Sequence, residues 1–192
     1  MFNKKKFFVL ILVFCFIVFG IFILSRAFSS KEISENKNQN QEEPASEPES
    51  FVVEGTSMSP VLEEGEEIFY DKEYYKKNPI QSDDIVIIGF DWREKPIVKF
   101  VRGIPGDGIA LEKGDGENYF VLINGERIKN SEGEEYSLSY TKSRMIDLYA
   151  RDYAGIIPND AYFILGNSTS GTQDSTQFGL IHKDNIIGKV IK

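Results

Sequence analysis

The chain has 192 residues, with 22 Lys and Arg against 30 Asp and Glu, and its formal net charge of −8 with no clustered basic stripe argues against a nucleic-acid partner. Its single cysteine, Cys15, sits in an apolar N-terminal run, so neither a disulfide framework nor a thiolate metal site is available to the rest of the chain. The single histidine, His182, reads as a partly exposed residue at a strand end, so a hydrolase built here needs another base.

Lys4, Lys5 and Lys6 precede an uninterrupted apolar stretch from Phe7 to Leu24. As a helix rising about 1.5 Å per residue, that stretch reaches roughly 27 Å, close to a hydrocarbon core. A cleaved secretory signal is the competing reading, but the run is long for one and Ser25-Arg26-Ala27 is a poor cleavage site. The expectation is a transmembrane anchor over 7–25, behind a basic cytoplasmic N-terminus over 1–6, with everything after Arg26 sent across the lipid bilayer. Residues 26–50 are rich in Glu, Asn, Gln, Ser and Pro and too poor in large apolar groups to order themselves, and they predict an acidic tether.

From 51 to 192 the pattern changes to short β-type runs separated by turn signals, predicting one mainly β domain, a barrel or a sandwich. The runs are 51–53, 67–70, 85–88, 97–101, 119–123, 162–165 and 186–191. Asn124-Gly125 predicts a two-residue hairpin, because both residues tolerate positive φ. Residues 129–152 are the least readable and predict a peripheral loop or a short helix. Phe51, Val52 and Val53 read equally as an ordinary strand or as a patch meeting a membrane surface.

Two residues suggest chemistry. Ser57 follows a β-run within Gly55-Thr56-Ser57-Met58-Ser59-Pro60, between a flexible glycine and a rigid proline, a setting that can expose its hydroxyl and aim its amide into the same space. Lys99, in Ile97-Val98-Lys99-Phe100-Val101, shares a strand face with Ile97 and Val101. An ammonium buried among apolar groups is disfavoured against the neutral amine, and a neutral amine can take the proton of a serine hydroxyl. Alone, each motif also fits a plain turn serine and a lysine snorkelling from an edge strand.

Together the motifs run in one order: Ser57-Met58-x-Pro60-x-Leu62, Asp84-Ile85-Val86, Val98-Lys99, Gly103 to Asp107, the Asn-Gly hairpin, Pro158 through Gly166, then Asp174-Ser175 and Gly179. That series resembles the type I bacterial signal peptidases, from about Val53 to Gly188. The resemblance implies a signal-peptidase-like β catalytic domain without metal or organic cofactor, Ser57 as nucleophile, Lys99 as general base, and Met58 and Pro60 shaping the nucleophile turn. Gly55 falls where some members place a serine that helps bind the oxyanion; here the Ser57 amide would supply most of that stabilisation. The last box departs from the family's usual Gly-Asp-Asn-Arg and following Ser, Asp and Arg: this chain has Gly166-Asn167-Ser168-Thr169, then Thr172, Asp174 and Thr176. Thr172 is expected to offer a hydroxyl that orients Lys99, and Asp174, without its arginine, either to turn to solvent or to find Arg102. Phe100 stands where an arginine commonly follows the lysine.

The resemblance further implies preprotein signal peptides as substrates, lying extended beside 51–56 and 97–98 and cut after small-x-small sites by a monomeric enzyme outside the bilayer. A cytoplasmic self-cleaving repressor protease is a rival, but it predicts a DNA-binding domain where this chain has an apolar run. The altered last box also admits an assembly factor or pilus chaperone that keeps the fold without the chemistry.

Overall fold

A computed structural model describes residues 47–191, and the segments read as cytoplasmic N-terminus and anchor, with most of the tether, lie outside the described residues. Among the described residues, no helix is long and apolar enough to cross a membrane.

The strands are β1 (Glu49–Val52), β2 (Glu67–Asp71), β3 (Ile85–Phe90), β4 (Arg93–Gly103), β5 (Ile109–Lys113), β6 (Asn118–Ile123), β7 (Glu126–Arg127), β8 (Ser137–Ser139), β9 (Ala161–Leu165), β10 (Ile181–His182) and β11 (Ile186–Ile191). Among the described residues the α-helices that join them are α1 (Tyr74–Lys77), α2 (Tyr140–Asp152) and α3 (Ser175–Phe178). Seven strands form one antiparallel sheet in the order β1-β2-β11-β3-β4-β9-β10. The other four form a smaller antiparallel sheet around β6. The mainly β expectation therefore holds in its coarse form, but the barrel does not: neither sheet closes on itself, because β1 and β10 end the larger one unpaired with each other.

The alternation of the central strands produces the layering. On β4, Val98 and Phe100 join Met58, Leu62 and Ile87 in one core, while Ile97 and Val101 join Val86, Ile88 and Ile164 in a second. On β9, Tyr162 and Ile164 enter that second core, whereas Phe163 and Leu165 enter a third with Val121 and Leu138 of the smaller sheet and Ile146 of α2. Thus β9 belongs to two cores at once and couples the sheets. The predicted hairpin forms between β6 and β7, with Asn124 at φ 54° and Gly125 at φ 83°. Asn124 also accepts the Gly108 N–H at 2.8 Å and donates to Asp107 at 2.9 Å, so the hairpin braces the Gly103 to Asp107 turn.

The least readable segment contains β8 and the 13-residue α2, of which only Ser143 and Ile146 are buried. Phe51, Val52 and Val53 do not form one surface: Val53 is buried, Phe51 half-buried and Val52 exposed. His182 closes the two-residue β10 and is exposed, as its sequence setting suggested.

The loop after β9 docks directly on the turn containing Ser57. The Asn167 N–H donates to the Ser57 carbonyl at 2.6 Å, and the Asn167 amide donates to Ser59 O and Ser131 Oγ, each at 2.9 Å. Gly166 makes this approach possible, since a Cβ there would lie 2.7 Å from Ser57 O and 2.6 Å from Thr172 Oγ1. Because one of those atoms is backbone, Gly166→Ala should force the loop off the Ser57 turn, costing about 1–3 kcal/mol, the usual range for overpacking. Thermal unfolding checks it: a wild-type midpoint for the variant would contradict this packing.

Candidate active site

The serine turn is built locally. Gly55 takes φ +75° and donates its N–H to Glu64 at 3.2 Å, reversing the chain just after β1. Met58 is fully buried, and its carbonyl accepts from Val61 and Leu62 at 2.9 and 3.1 Å, while the Ser59–Pro60 peptide is cis. The buried Met58 thus anchors the turn in the first core and leaves Ser57 beside it at the surface of a groove. The Ser57 N–H has no acceptor among the described residues.

Lys99 reaches that serine from the middle of β4. Its residue is 3% exposed, and Nζ lies 2.8 Å from Ser57 Oγ and 2.8 Å from the Val98 carbonyl. Burial pushes the amine down from its ordinary 10.5 to about 8; the positive charge of Arg93 acts in the same direction and Asp174 opposes it. A neutral amine in this position keeps an N–H for Val98 O and presents its lone pair to the Ser57 hydroxyl. The pair opens onto a groove of about 340 Å³ whose walls include Phe51, Glu54, Thr56, Ile97, Thr172 and Gln173.

Asp174 corrects the sequence-based expectation. It is fully buried, neither facing solvent nor meeting Arg102, which instead pairs with Asp83 and lies 4.2 Å over the Phe100 ring. Five donors surround the carboxylate. Gly166 N at 3.0 Å, Thr172 N at 3.1 Å and Thr172 Oγ1 at 2.6 Å reach Oδ2; Thr176 N at 3.0 Å and Thr176 Oγ1 at 2.7 Å reach Oδ1. Thr176, which stands in place of the family's arginine, therefore satisfies the acid with a hydroxyl and an amide rather than a guanidinium. Thr172 is corrected as well: its hydroxyl is spent on Asp174, and the partners of Lys99 Nζ are Ser57 and Val98.

Two contributors escaped the sequence reading. Asn167 appeared there only as a departure from an expected aspartate, yet it is the residue whose amide ties the serine turn to the 131 loop. Arg93 carried no motif, but it borders the same groove as Ser57 and Lys99. Its signal was available only through the length of β4, which brings a residue six positions before Lys99 back to the site through a long side chain. Among the described residues, no group of three or more His, Cys, Asp or Glu is placed to hold a metal ion.

A family model described as signal peptidase, peptidase S26, matches residues 46–192. Signal peptidase I of Bacillus caldolyticus is 32% identical over 143 residues, covering 73% of this chain and 75% of that protein. Signal peptidase I P of Bacillus subtilis subsp. natto is 34% identical over 146 residues, covering 73% of each. A crystal structure of a signal peptidase I from Enterococcus faecalis V583 aligns with 60% of this chain and 98% of its own at a TM-score of 0.41 and 21% identity. The family model spans the two sheets, the serine turn and the loop that docks on it, and this chain therefore belongs to the signal peptidase family, peptidase S26.

Proposed function

We propose that this chain is a membrane-anchored serine endopeptidase that removes N-terminal signal peptides from exported proteins, with Ser57 as nucleophile and Lys99 as general base. The observation that carries this reading is the 2.8 Å contact between Lys99 Nζ and Ser57 Oγ, made by an amine whose burial favours its neutral form. Neutral Lys99 takes the hydroxyl proton as Oγ attacks the scissile carbonyl. The developing oxyanion faces the Ser57 N–H, which has no acceptor among the described residues. Lys99, now an ammonium, returns the proton to the leaving amine. A water then hydrolyses the acyl-enzyme with Lys99 again as base.

Substrate specificity follows from the walls of the groove. A peptide extended beside 51–56 and 97–98 would meet Phe51, Ile97 and Val98, whose apolar bulk leaves room for small side chains at alternate positions and favours small-x-small sites. The basic N-terminus, the apolar run over 7–25 and the acidic tether support a domain held outside a bacterial membrane, near emerging cleavage sites. Retention of both Ser57 and Lys99, in contact at 2.8 Å, supports a working site over an assembly factor that has lost its chemistry.

With a preprotein in detergent or lipid vesicles, the full chain is expected to cut after a small-x-small site. Ser57→Ala and Lys99→Ala should each lose at least about a thousandfold in kcat/KM, the scale on which removal of a catalytic group acts. Equal cleavage by all three proteins would contradict the assignment.

Because only the neutral amine is competent, kcat/KM should rise about tenfold per pH unit on the acid side and level off above about 8. A profile flat from pH 6 to 9 sinks the role of Lys99.

Stability should respond in the same window. The folded chain holds the Lys99 proton less tightly than the unfolded chain does, so the burial penalty is fully present below pH 8 and fades as pH rises towards 10.5. Lys99→Met is therefore expected to raise unfolding stability at pH 7 by about 1–2 kcal/mol while abolishing cleavage. Denaturant titrations at pH 7 and pH 10 would refute this if Lys99→Met proved the less stable protein at pH 7.

A further inference from the structure

The groove beside Ser57 and Lys99 carries opposite charges on its rim, and only one of them is neutralised. Glu54 is held by Lys95 at 2.5 Å. Arg93, half-buried at the start of β4, has no carboxylate partner among the described residues. Its guanidinium is nevertheless fixed: Nε donates to the Lys95 carbonyl at 2.9 Å, folding the side chain forward along β4, and Nη1 donates to Gln173 Oε1 at 2.8 Å. Gln173 lies between Thr172 and Asp174, so this second bond spans from β4 to the loop that docks on the serine turn. A guanidinium has five N–H donors, and these two bonds leave three, including both on Nη2, available to a ligand. The charge is close enough to the reacting pair to disfavour protonation of Lys99.

A fixed, unneutralised guanidinium on the wall of a peptide groove is suited to a carboxylate. Resting on the peptide-cleaving reading above, we propose that Arg93 is a specificity-determining residue that receives an acidic side chain of the bound peptide and discriminates against a basic one at the same position. The apolar walls read side-chain size, whereas Arg93 adds a reading of charge. Like other exposed pairings, the preference weakens with salt.

Peptide binding to the full-length Ser57→Ala chain in detergent tests this without requiring cleavage. Fluorescent peptides would carry a small-x-small motif with Glu, Gln or Lys placed singly at each flanking position. At one position Glu should bind about three- to fivefold tighter than Gln, and Lys weaker by a similar factor, the scale of a partly exposed ion pair. Adding Arg93→Lys should preserve the order, Arg93→Gln should level it, and Arg93→Glu should invert it, a reversal that general loosening of the groove does not produce. Equal binding of the three peptides at every position, no binding at all, or the same preference in Arg93→Gln overturns the proposal. A preserved charge order alongside an intact chain that fails to cut preproteins would keep this inference and remove the peptidase reading instead.

Discussion

An amine held inside a β-sheet sets the terms for the rest of this molecule. Lys99 occupies the middle of the longest strand, with Val98 and Phe100 directed into one core and Ile97 and Val101 into another. Buried except where it meets the groove, its charged form is penalised, and the neutral form needs a proton donor to pair with. Ser57 supplies one, and the serine turn exists where it does because Met58 is buried in the core shared with Val98 and Phe100. The packing that makes the domain fold is thus the packing that favours the neutral form of its lysine.

Asp174 presents the same problem with the opposite sign. A buried carboxylate needs several donors, and an arginine is one efficient source. Here the same requirement is met by two threonines and three backbone amides gathered within residues 166–176. A compact set of neutral donors can replace a long cationic side chain because the loop itself curls around the acid. The cation that acts on Lys99 is then Arg93, on β4, rather than one built into the loop. The negative charge of Asp174 and the positive charge of Arg93 pull the lysine in opposite directions, and burial decides the outcome.

Much of the larger sheet was legible in the sequence because its central strands are buried on both faces and read as runs such as Ile85-Val86-Ile87-Ile88. The hairpin was legible because Asn124 and Gly125 adopt the positive φ that their identities advertise. By contrast, α2 is polar on average and buries only Ser143 and Ile146, with Met145 and Tyr149 half-buried beside them, so its short apolar stripe was hard to read as a helix. Strand β5 was missed because only Ile109 of its five residues is buried. At the site, the Ser57 and Lys99 motifs could be read locally, but the fate of Asp174 could not. Its partners, Thr172 and Thr176, are near in sequence, yet solvent or a cation such as Arg102 is the commoner answer to an acid without its arginine. Whether hydroxyls suffice depends on how tightly the loop closes, which is a tertiary property. Asn167 was opaque for a related reason, since its contacts to Ser59 and Ser131 join segments 108 and 36 residues away.

If burial makes Lys99 a base at near-neutral pH, titrating that amine itself will reveal it. In the full chain labelled at lysine side chains, the Lys99 resonance can be assigned by its disappearance in Lys99→Ala and followed by NMR as pH is raised. A midpoint near 8 is the predicted result. A midpoint near the ordinary value of 10.5 would mean that the amine stays charged beside Ser57 at working pH, and would contradict the account.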